Sequence, residues 1–174
     1  FYATHGKHVG EGMVYYFFPQ PDCNYIFNAI QCAYQMKEAM KAINQEWRVK
    51  KNWTNELLLN TGLDEGQEWF GAYQTPTHLE FTVLGDTINR AARLSDFARQ
   101  SSIWVTKNLI ATLVGEDREK ITYGIRRESA DGQEILVPST FGRVSNLIDL
   151  TDPRNLKLSD IGVLPVTEII DMTE

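Results

Sequence analysis

An apolar stripe between residues 22 and 47 constrains the fold of this 174-residue chain more than any other feature of its sequence. Its members recur every three or four residues and are Ile26, Ile30, Ala33, Tyr34, Met40, Ile43 and Trp47. This spacing predicts one long amphipathic helix whose apolar face covers a core. Asp22, which follows Pro21, is the predicted N-cap of that helix. Because such a helix needs a partner layer, the flanking segments decide the fold class.

Strand-like segments flank this helix on both sides. Residues 1–19 predict a β-hairpin that turns at "GEG", where a glycine on each side permits a positive φ. Its second arm, "MVYYFFP", is too apolar to be exposed, so we expect the hairpin in the middle of a sheet. After the helix, "ELLLNTG" (56–62) predicts a buried strand ending at Gly62, and "HLEFTVLG" (78–85) predicts another. The run "LDEGQEWFGAY" between them predicts a strand or a loop and indicates no function.

The second half of the chain continues this alternation. A second helix is predicted over about 86–99, directly after Gly85. The run "SIWVTKNLIATL" then predicts a strand at 102–105, followed by a short helix with Thr106 as its N-cap.

The last third of the chain predicts two further strand features. A hairpin is expected about Asp131 and Gly132, a dipeptide that suits a type I′ turn. The run "IGVLPVTEIID" predicts a final strand, in which Pro165 indicates a sheet edge or a bulge. We therefore predict a single α+β domain over 1–174, with a mixed, largely antiparallel sheet and both long helices on one of its faces.

Charge and composition exclude several classes of function. The formal net charge is −6 and the basic residues are scattered, which argues against a nucleic-acid surface but leaves room for a small anion in a locally basic pocket. No apolar run approaches the roughly 20 residues that a membrane span needs, so no membrane segment is expected. The two cysteines, Cys23 and Cys32, are predicted to be reduced, which favours a cytoplasmic chain. The three histidines show no metal-ligand spacing.

The stretch "EFTVLGDTINRAAR" (80–93) holds the strongest candidates for a binding site. Asn89 and Arg93 lie four residues apart in the second predicted helix, so their side chains project from one face. Together they offer several hydrogen-bond donors to an anion. The alternative interpretation from this stretch alone is an ordinary solvated helix face.

Two segments resemble the class III nucleotidyl cyclases, the adenylate and guanylate cyclases. They are "GKHVGEGMVYYF" (6–17) and "FTVLGDTINRAARL" (81–94), and "LLLNTG" between them also lies at the family's spacing. The similarity covers about residues 5–115, whereas the tail over 120–174 matches only loosely. It implies a nucleotidyl-cyclase-like fold with a ferredoxin-like core.

The resemblance assigns roles to individual residues. Asn89 would orient the ribose of the nucleotide, and Arg93 would stabilise charge on the phosphate during attack by the 3′-hydroxyl. Lys7 and Thr82 match the pair that reads the purine, and they favour ATP because a lysine donates to N1 of adenine and would meet an N–H in guanine. The alternatives are a surface lysine beside a turn and a threonine chosen for its β propensity.

The resemblance also implies two Mg²⁺ or Mn²⁺ ions per site, held by two acidic residues. The first acid of the family lies in an opening strand with a pattern like F-x-D-x-x-G-F, which this sequence lacks; we therefore expect an N-terminally incomplete domain. Glu11 matches the second acid, where aspartate is usual, and its alternative is a solvated hairpin tip. Lys157 is the best candidate for the family's phosphate-binding lysine by position. Arg126, Arg127 and Arg143 are its alternatives.

Two functions follow from the resemblance. The first is a class III adenylate cyclase that converts ATP into cyclic AMP and pyrophosphate as a head-to-tail homodimer with shared sites, in intracellular signalling. The second is a cyclase-like module that no longer catalyses and serves in dimerisation or nucleotide sensing. A diguanylate cyclase is disfavoured because the sequence holds no GG[DE]EF-like turn. Without the opening strand, the 174-residue chain is expected to make little or no cyclic AMP.

Overall fold

The computed structural model describes residues 1–173, and its side-chain description leaves out Val9 and residues 80–82. The strands are β1 (Ala3–Val9), β2 (Gly12–Phe17), β3 (Thr61–Leu63), β4 (Trp69–Thr75), β5 (His78–Leu84), β6 (Ile103–Thr106), β7 (Ile121–Glu128), β8 (Glu134–Pro138), β9 (Gly142–Arg143) and β10 (Pro165–Met172). The helices are α1 (Tyr25–Lys51), α2 (Asp86–Phe97), α3 (Lys107–Thr112), α4 (Gly115–Glu119) and α5 (Val144–Leu147), with a 3-10 helix at Pro153–Ile161.

A mixed six-stranded sheet forms the centre of the fold, in the order β3-β6-β10-β7-β8 with β9 paired to β10. The strands β3 and β6 run parallel, and every other pairing of this sheet is antiparallel. The predicted α+β class, with a mixed and largely antiparallel sheet covered by helices, is confirmed.

The helix α1 covers one face of this sheet with its first half only. Its buried residues are Ile26, Ala29, Ile30 and Ala33. Three of them, Ile26, Ile30 and Ala33, belong to one core cluster with Ile103, Val105, Ile110, Tyr123 and Ile169. The predicted apolar stripe is wrong in the last turns of the helix, since Ile43 and Trp47 remain 38% and 43% exposed. Trp47 instead contacts Trp53 edge to face, at 6.2 Å between ring centroids. The last turns of α1 therefore carry apolar residues that this chain does not bury.

The N-terminus of α1 is capped by Asn24 and not by the predicted Asp22. The Asn24 side-chain oxygen accepts hydrogen bonds from the backbone N–H groups of Ile26 and Phe27, at 3.0 and 3.2 Å. Asp22 lies before the helix in a left-handed conformation with φ 62°. Asparagine and aspartate are both good N-cap residues. The helix begins at Tyr25, so Asn24 takes the cap position and Asp22 does not.

The helix α2 packs on the opposite face of the sheet from α1, which contradicts the prediction that both helices share a face. Leu94 and Phe97 of α2 join Val144, Leu158, Ile161 and Val166 in a second core cluster. Within β6, Ile103 and Val105 belong to the α1 side, whereas Trp104 packs on the α2 side. Because successive strand residues point to opposite faces, this alternation places the two helices on either side of β6.

Gly62 sets the distance between α2 and the sheet. It pairs with Trp104 in the parallel β3–β6 ladder and so faces α2. A Cβ atom at this position would collide with the backbone of Ala91 and Ser95 and would lie 2.6 Å from Cβ of Leu94. The strand was expected over 56–62, but the ladder begins only at Thr61.

Two β-hairpins form separate two-stranded sheets, β1–β2 and β4–β5. The predicted hairpin over residues 1–19 is present, but the prediction that it lies in the middle of a sheet is wrong. Its aromatic arm packs instead on the other hairpin: Phe18 contacts Phe70 edge to face at 5.1 Å, and Tyr16 contacts Phe70 at 5.9 Å. Contacts between rings thus replace part of the burial that a central strand would have supplied.

Two details of the later strands also differ from expectation. The hairpin about Asp131 and Gly132 is present, but only Gly132 has a positive φ, at 77°, so the turn is not type I′. Pro165 begins β10, a central strand, and not an edge. As the first residue of the strand, it interrupts no ladder hydrogen bond, and the register shift of β10 occurs further along, between Ile169 and Asp171.

None of the helices in the described part of the chain is long and apolar enough to cross a membrane.

Candidate active site

The site is built on the N-terminal half of α2, which begins one residue after Gly85. Gly85 has φ 155°, and a Cβ there would collide with the carboxylate of Glu68. This position therefore requires glycine, and it fixes where the helix starts. Asn89 and Arg93 follow one turn apart on the outer surface of α2, as the spacing predicts.

Asn89 is exposed, and its side chain is oriented by its own helix. The amide nitrogen donates to the carbonyl oxygen of Gly85 at 3.2 Å. This bond still leaves the side-chain carbonyl oxygen and a second N–H of the amide to interact with a ligand.

Arg93 is held by two carboxylates. Its Nε donates to Asp160 of the 3-10 helix at 3.1 Å, and its Nη1 lies 3.7 Å from Asp96. Lys157 binds the same Asp96 at 2.8 Å. The fold thus brings Lys157 and Arg93, far apart in sequence, onto one shared carboxylate. These ion pairs are 39–55% exposed and each is worth about 0–1 kcal/mol, so a polyphosphate can displace them.

The two candidates for base recognition lie on different hairpins. Lys7 is half-buried in β1, and Thr82 lies in β5, where its backbone pairs with Gly71. The Thr82 side chain lies outside the described residues. The pairing of Lys7 with Thr82 therefore stays a prediction.

Glu11 lies at the exposed tip of the β1–β2 hairpin, beside Gly10 with φ 60°. Among the described residues, no group of three or more His, Cys, Asp or Glu side chains could hold a metal ion. One carboxylate on an exposed turn does not fit a near-octahedral Mg²⁺, which needs more than one protein ligand in fixed geometry. The donor set present in the described chain therefore does not fit the two-metal arrangement.

The three arginines that are alternatives to Lys157 line a groove elsewhere on the protein. Arg126, Arg127 and Arg143 line an open groove of about 700 Å³ together with Lys107, and neither Asn89 nor Arg93 lines it. Arg126 is engaged by the buried Glu168 and by Glu134, both at 3.0 Å, and its hydrogen bonds to Glu134 and Glu168 raise its pKa. Of the phosphate-binding candidates, only Lys157 shares a partner with Arg93.

Sequence reasoning missed Asp64, a buried carboxylate behind the site. Its side chain is 2% exposed and accepts hydrogen bonds from Arg90 Nε at 2.5 Å and from the Thr106 hydroxyl at 2.6 Å. The hydrogen bond to Asp64 is the main cause of the raised pKa of Arg90. The signal in the sequence was the acidic run "LDEGQE" directly after a predicted strand, which indicated no function without a known partner.

Comparison with known proteins identifies the family of the chain. The family model of the adenylate and guanylate cyclase catalytic domain matches residues 7–132, well over half of the chain. The chain therefore belongs to this family of cyclase catalytic domains. Members of the family bind nucleotides, typically dimerise and generally use divalent metal ions.

Solved structures show the same fold at low sequence identity. The adenylyl cyclase CyaB from P. aeruginosa is 17% identical, with a TM-score of 0.67 over 99% of this chain and 74% of that one. The guanylyl cyclase Cya2 is 14% identical, with a TM-score of 0.65 over 99% of this chain and 72% of that one. A search of curated proteins finds no match. The two neighbours differ in base, so the fold does not decide between ATP and GTP.

Proposed function

We propose that this chain is the catalytic domain of a class III adenylate cyclase, which converts ATP into cyclic AMP and pyrophosphate. The observation that carries the proposal is the position of Asn89 and Arg93, one turn apart on the exposed face of α2, inside the region that matches the family. Lys157 beside Arg93 adds a second cation for the phosphates. The free thiols of Cys23 and Cys32 agree with a cytoplasmic protein.

The reaction needs positioning and charge stabilisation more than covalent chemistry from the protein. The ribose 3′-oxygen bonds to the α-phosphorus and loses its proton to water, while the bond from that phosphorus to the bridging oxygen breaks and pyrophosphate leaves. Asn89 holds the ribose so that the 3′-oxygen lies in line with the leaving group. Arg93 binds the oxygens on which negative charge develops, and its planar fork can bond two of them at once.

Mg²⁺ or Mn²⁺ belongs to this proposal, because the family generally uses divalent metals. Glu11 is the residue that we assign to metal binding. Since the described residues hold no group of three or more His, Cys, Asp or Glu side chains that could bind a metal ion, we derive no step of the reaction through the metal.

A homodimer with sites shared between its subunits also belongs to the proposal. An exposed apolar surface on the β4–β5 hairpin supports it: Trp69 is 85%, Leu84 64% and Tyr73 62% exposed. Trp69 and Leu84 are register partners and therefore share a face of the hairpin. Exposed apolar clusters of this kind mark interaction surfaces.

Replacing Trp69 by glutamate is expected to weaken self-association of the chain at least tenfold, because it places a charge on this apolar face. Sedimentation velocity over a range of concentrations measures the change. Val49→Glu is the control, since Val49 is 80% exposed on α1, away from the hairpin. If both variants associate equally well, the β4–β5 face is not part of the interface.

The base preference is expected to depend on Lys7 and Thr82. Changing Lys7→Glu together with Thr82→Cys should lower turnover of ATP relative to GTP at least tenfold, because a donor left unpaired on the wrong base costs about 1–3 kcal/mol. The ratio of kcat/KM for the two nucleotides measures this preference. An unchanged ratio would place both residues outside the base pocket.

A catalytically inactive module is the second candidate function, and one observation favours it. The described residues hold no group of three or more His, Cys, Asp or Glu side chains that could bind a metal ion, so two-metal chemistry lacks a complete ligand set there. In this alternative, Asn89, Arg93 and Lys157 would bind a nucleotide without converting it.

The deciding experiment follows the products formed from ATP and from GTP by the natural protein with Mn²⁺ present. Our proposal expects ATP to give cyclic AMP and pyrophosphate in equal amounts. It also expects more cyclic AMP from ATP than cyclic GMP from GTP. Nucleotide binding without any cyclic product would favour the inactive module. A failure to bind either nucleotide would overturn both candidates.

A further inference from the structure

The acidic segment Asp64–Glu68, "DEGQE", lies between β3 and β4 and crosses the start of α2. Its two outer carboxylates contact α2. Asp64 accepts from Arg90 Nε at 2.5 Å, and Glu68 accepts from the backbone N–H of Thr87 in the first turn. From this geometry we infer that Asp64 and Glu68 are positioning residues, which hold the first turn of α2 and thereby set the location of Asn89 and Arg93.

Asp64 connects α2 to the sheet. Its other carboxylate oxygen accepts from the Thr106 hydroxyl at 2.6 Å, at the end of β6. The same hydroxyl accepts from the backbone N–H of Leu109 and so also caps α3. With its side chain 2% exposed, Asp64 is a charged group that is tolerated there only because both of its oxygens are bonded. Its position is therefore fixed by β6, and Arg90 transmits that position to α2.

Glu68 acts on the helix terminus itself. The first N–H groups of a helix have no partner within the helix, and they attract a carboxylate. Gly85 has no side chain that could cap α2, and α2 has no side-chain cap from its own N-cap residue. Glu68 supplies this cap from outside, and the space that it occupies is the space that Gly85 leaves by having no Cβ.

The side chains of the first turn complete the network. Arg90 Nη2 donates to the Thr87 hydroxyl at 3.3 Å, so the residue held by Glu68 and the residue held by Asp64 are bonded to each other. Asn89 lies between Thr87 and Arg93 in the sequence and one position before Arg90. A shift of this turn would therefore move Asn89. It would also move Arg93, which lies one turn further along the helix.

The middle carboxylate of the segment provides a matched control. Glu65 accepts from the Asn108 amide at 2.7 Å and from the Thr112 hydroxyl at 3.4 Å, both on α3. It has no hydrogen bond or ion pair with α2 in the described chain. Neutralising Glu65 removes the same charge from the same segment without releasing α2.

Amide hydrogen exchange in the 174-residue chain tests the hold on α2 without any enzyme assay. Asp64→Asn and Glu68→Gln should each speed exchange in the first turn of α2 at least tenfold, while amides in β7 and β10 keep their rates. Glu65→Gln should leave α2 unchanged. Equal exchange of α2 in all three variants, or a rise throughout the chain, would overturn the inference.

The effect on turnover rests on the proposed function and is measured in the natural protein. We expect Asp64→Asn and Arg90→Gln each to lower kcat about tenfold, with KM for ATP changed less than kcat, because a misplaced group loses transition-state geometry first. The double variant should be no slower than the slower single variant, and Arg90→Lys should regain part of the loss. Additive losses, or a change confined to KM, would contradict positioning.

Arg93→Ala separates the failure of this inference from the failure of the proposed function. If Arg93→Ala abolishes turnover while Asp64→Asn, folded and stable, keeps full kcat, only the positioning role is wrong. If Arg93→Ala keeps full turnover, the role that the proposed function gives to Arg93 is wrong, and if the parent protein forms no cyclic AMP, the proposed function itself is wrong; in both cases the exchange measurement still decides whether the segment holds α2.

Discussion

Replacing Gly62 by alanine is expected to lower the free energy of unfolding by about 2 kcal/mol, the usual range for overpacking a core being roughly 1–3 kcal/mol. The added methyl group would meet backbone atoms of Ala91 and Ser95, which cannot rotate away as a side chain can. The helix α2 must therefore move outward or the strand must shift. Urea denaturation followed by circular dichroism measures the loss.

The same substitution should also lower turnover of ATP at least tenfold, since α2 carries Asn89 and Arg93. Gly71→Ala is the control, because Gly71 lies in β4 with no atom within 4 Å of an added Cβ. We expect that variant within about 0.5 kcal/mol of the parent chain. If Gly62→Ala is as stable and as active as Gly71→Ala, the close approach of α2 to β3 is wrong.

Features that depend on local chemistry were predictable from the sequence. The strand-to-helix junction at Gly85 was found because a β-rich run, a glycine and a helical period follow one another within a few residues. The Thr106 cap of α3 was predicted for a similar reason, and its side chain accepts from Leu109 N–H at 3.3 Å. In both cases the signal and the structure lie within one turn of chain.

Features that depend on the order of strands were not predictable. Both helices have apolar faces, but the face of the sheet that each covers depends on β6 lying between β3 and β10, which no local pattern reports. The hairpin over residues 1–19 was placed in the middle of a sheet for its aromatic content. Two of its rings, those of Tyr16 and Phe18, instead contact Phe70, a residue of another hairpin.

The candidate site likewise contains residues that the sequence indicates and residues that only the fold brings together. Asn89 and Arg93 could be named from their spacing and from the family resemblance. Asp64 could not, because an acidic residue after a strand is usually a solvated loop residue, and only the fold brings Arg90 and Thr106 to it. The ion pair of Arg93 with Asp160 is likewise a long-range contact, and no local pattern of the sequence indicates it.

The shared-site proposal makes the second large prediction. Glu11→Ala and Arg93→Ala should each lower turnover of the natural protein about 100-fold or more, because Arg93 is proposed to bind the oxygens on which charge develops and Glu11 is the carboxylate that we assign to metal binding. If Glu11 of one subunit faces Arg93 of its partner, a mixed dimer keeps one intact site. Random pairing makes half of the dimers mixed, so equal mixing should restore about one quarter of the parent activity.

A second mixture supplies the control for this complementation. Asn89 and Arg93 belong to the same half of the proposed site, since both lie on α2 of one subunit. In a mixed dimer of Asn89→Ala with Arg93→Ala, each site therefore carries one defective residue, and activity should stay at the level of the single variants. Recovery in the first mixture and none in the second is the expected result, measured as cyclic AMP formed after the two purified variants are unfolded together and refolded. Recovery in neither mixture would place Glu11 and Arg93 in one subunit's site, and recovery in both would mean that Asn89 and Arg93 do not act together.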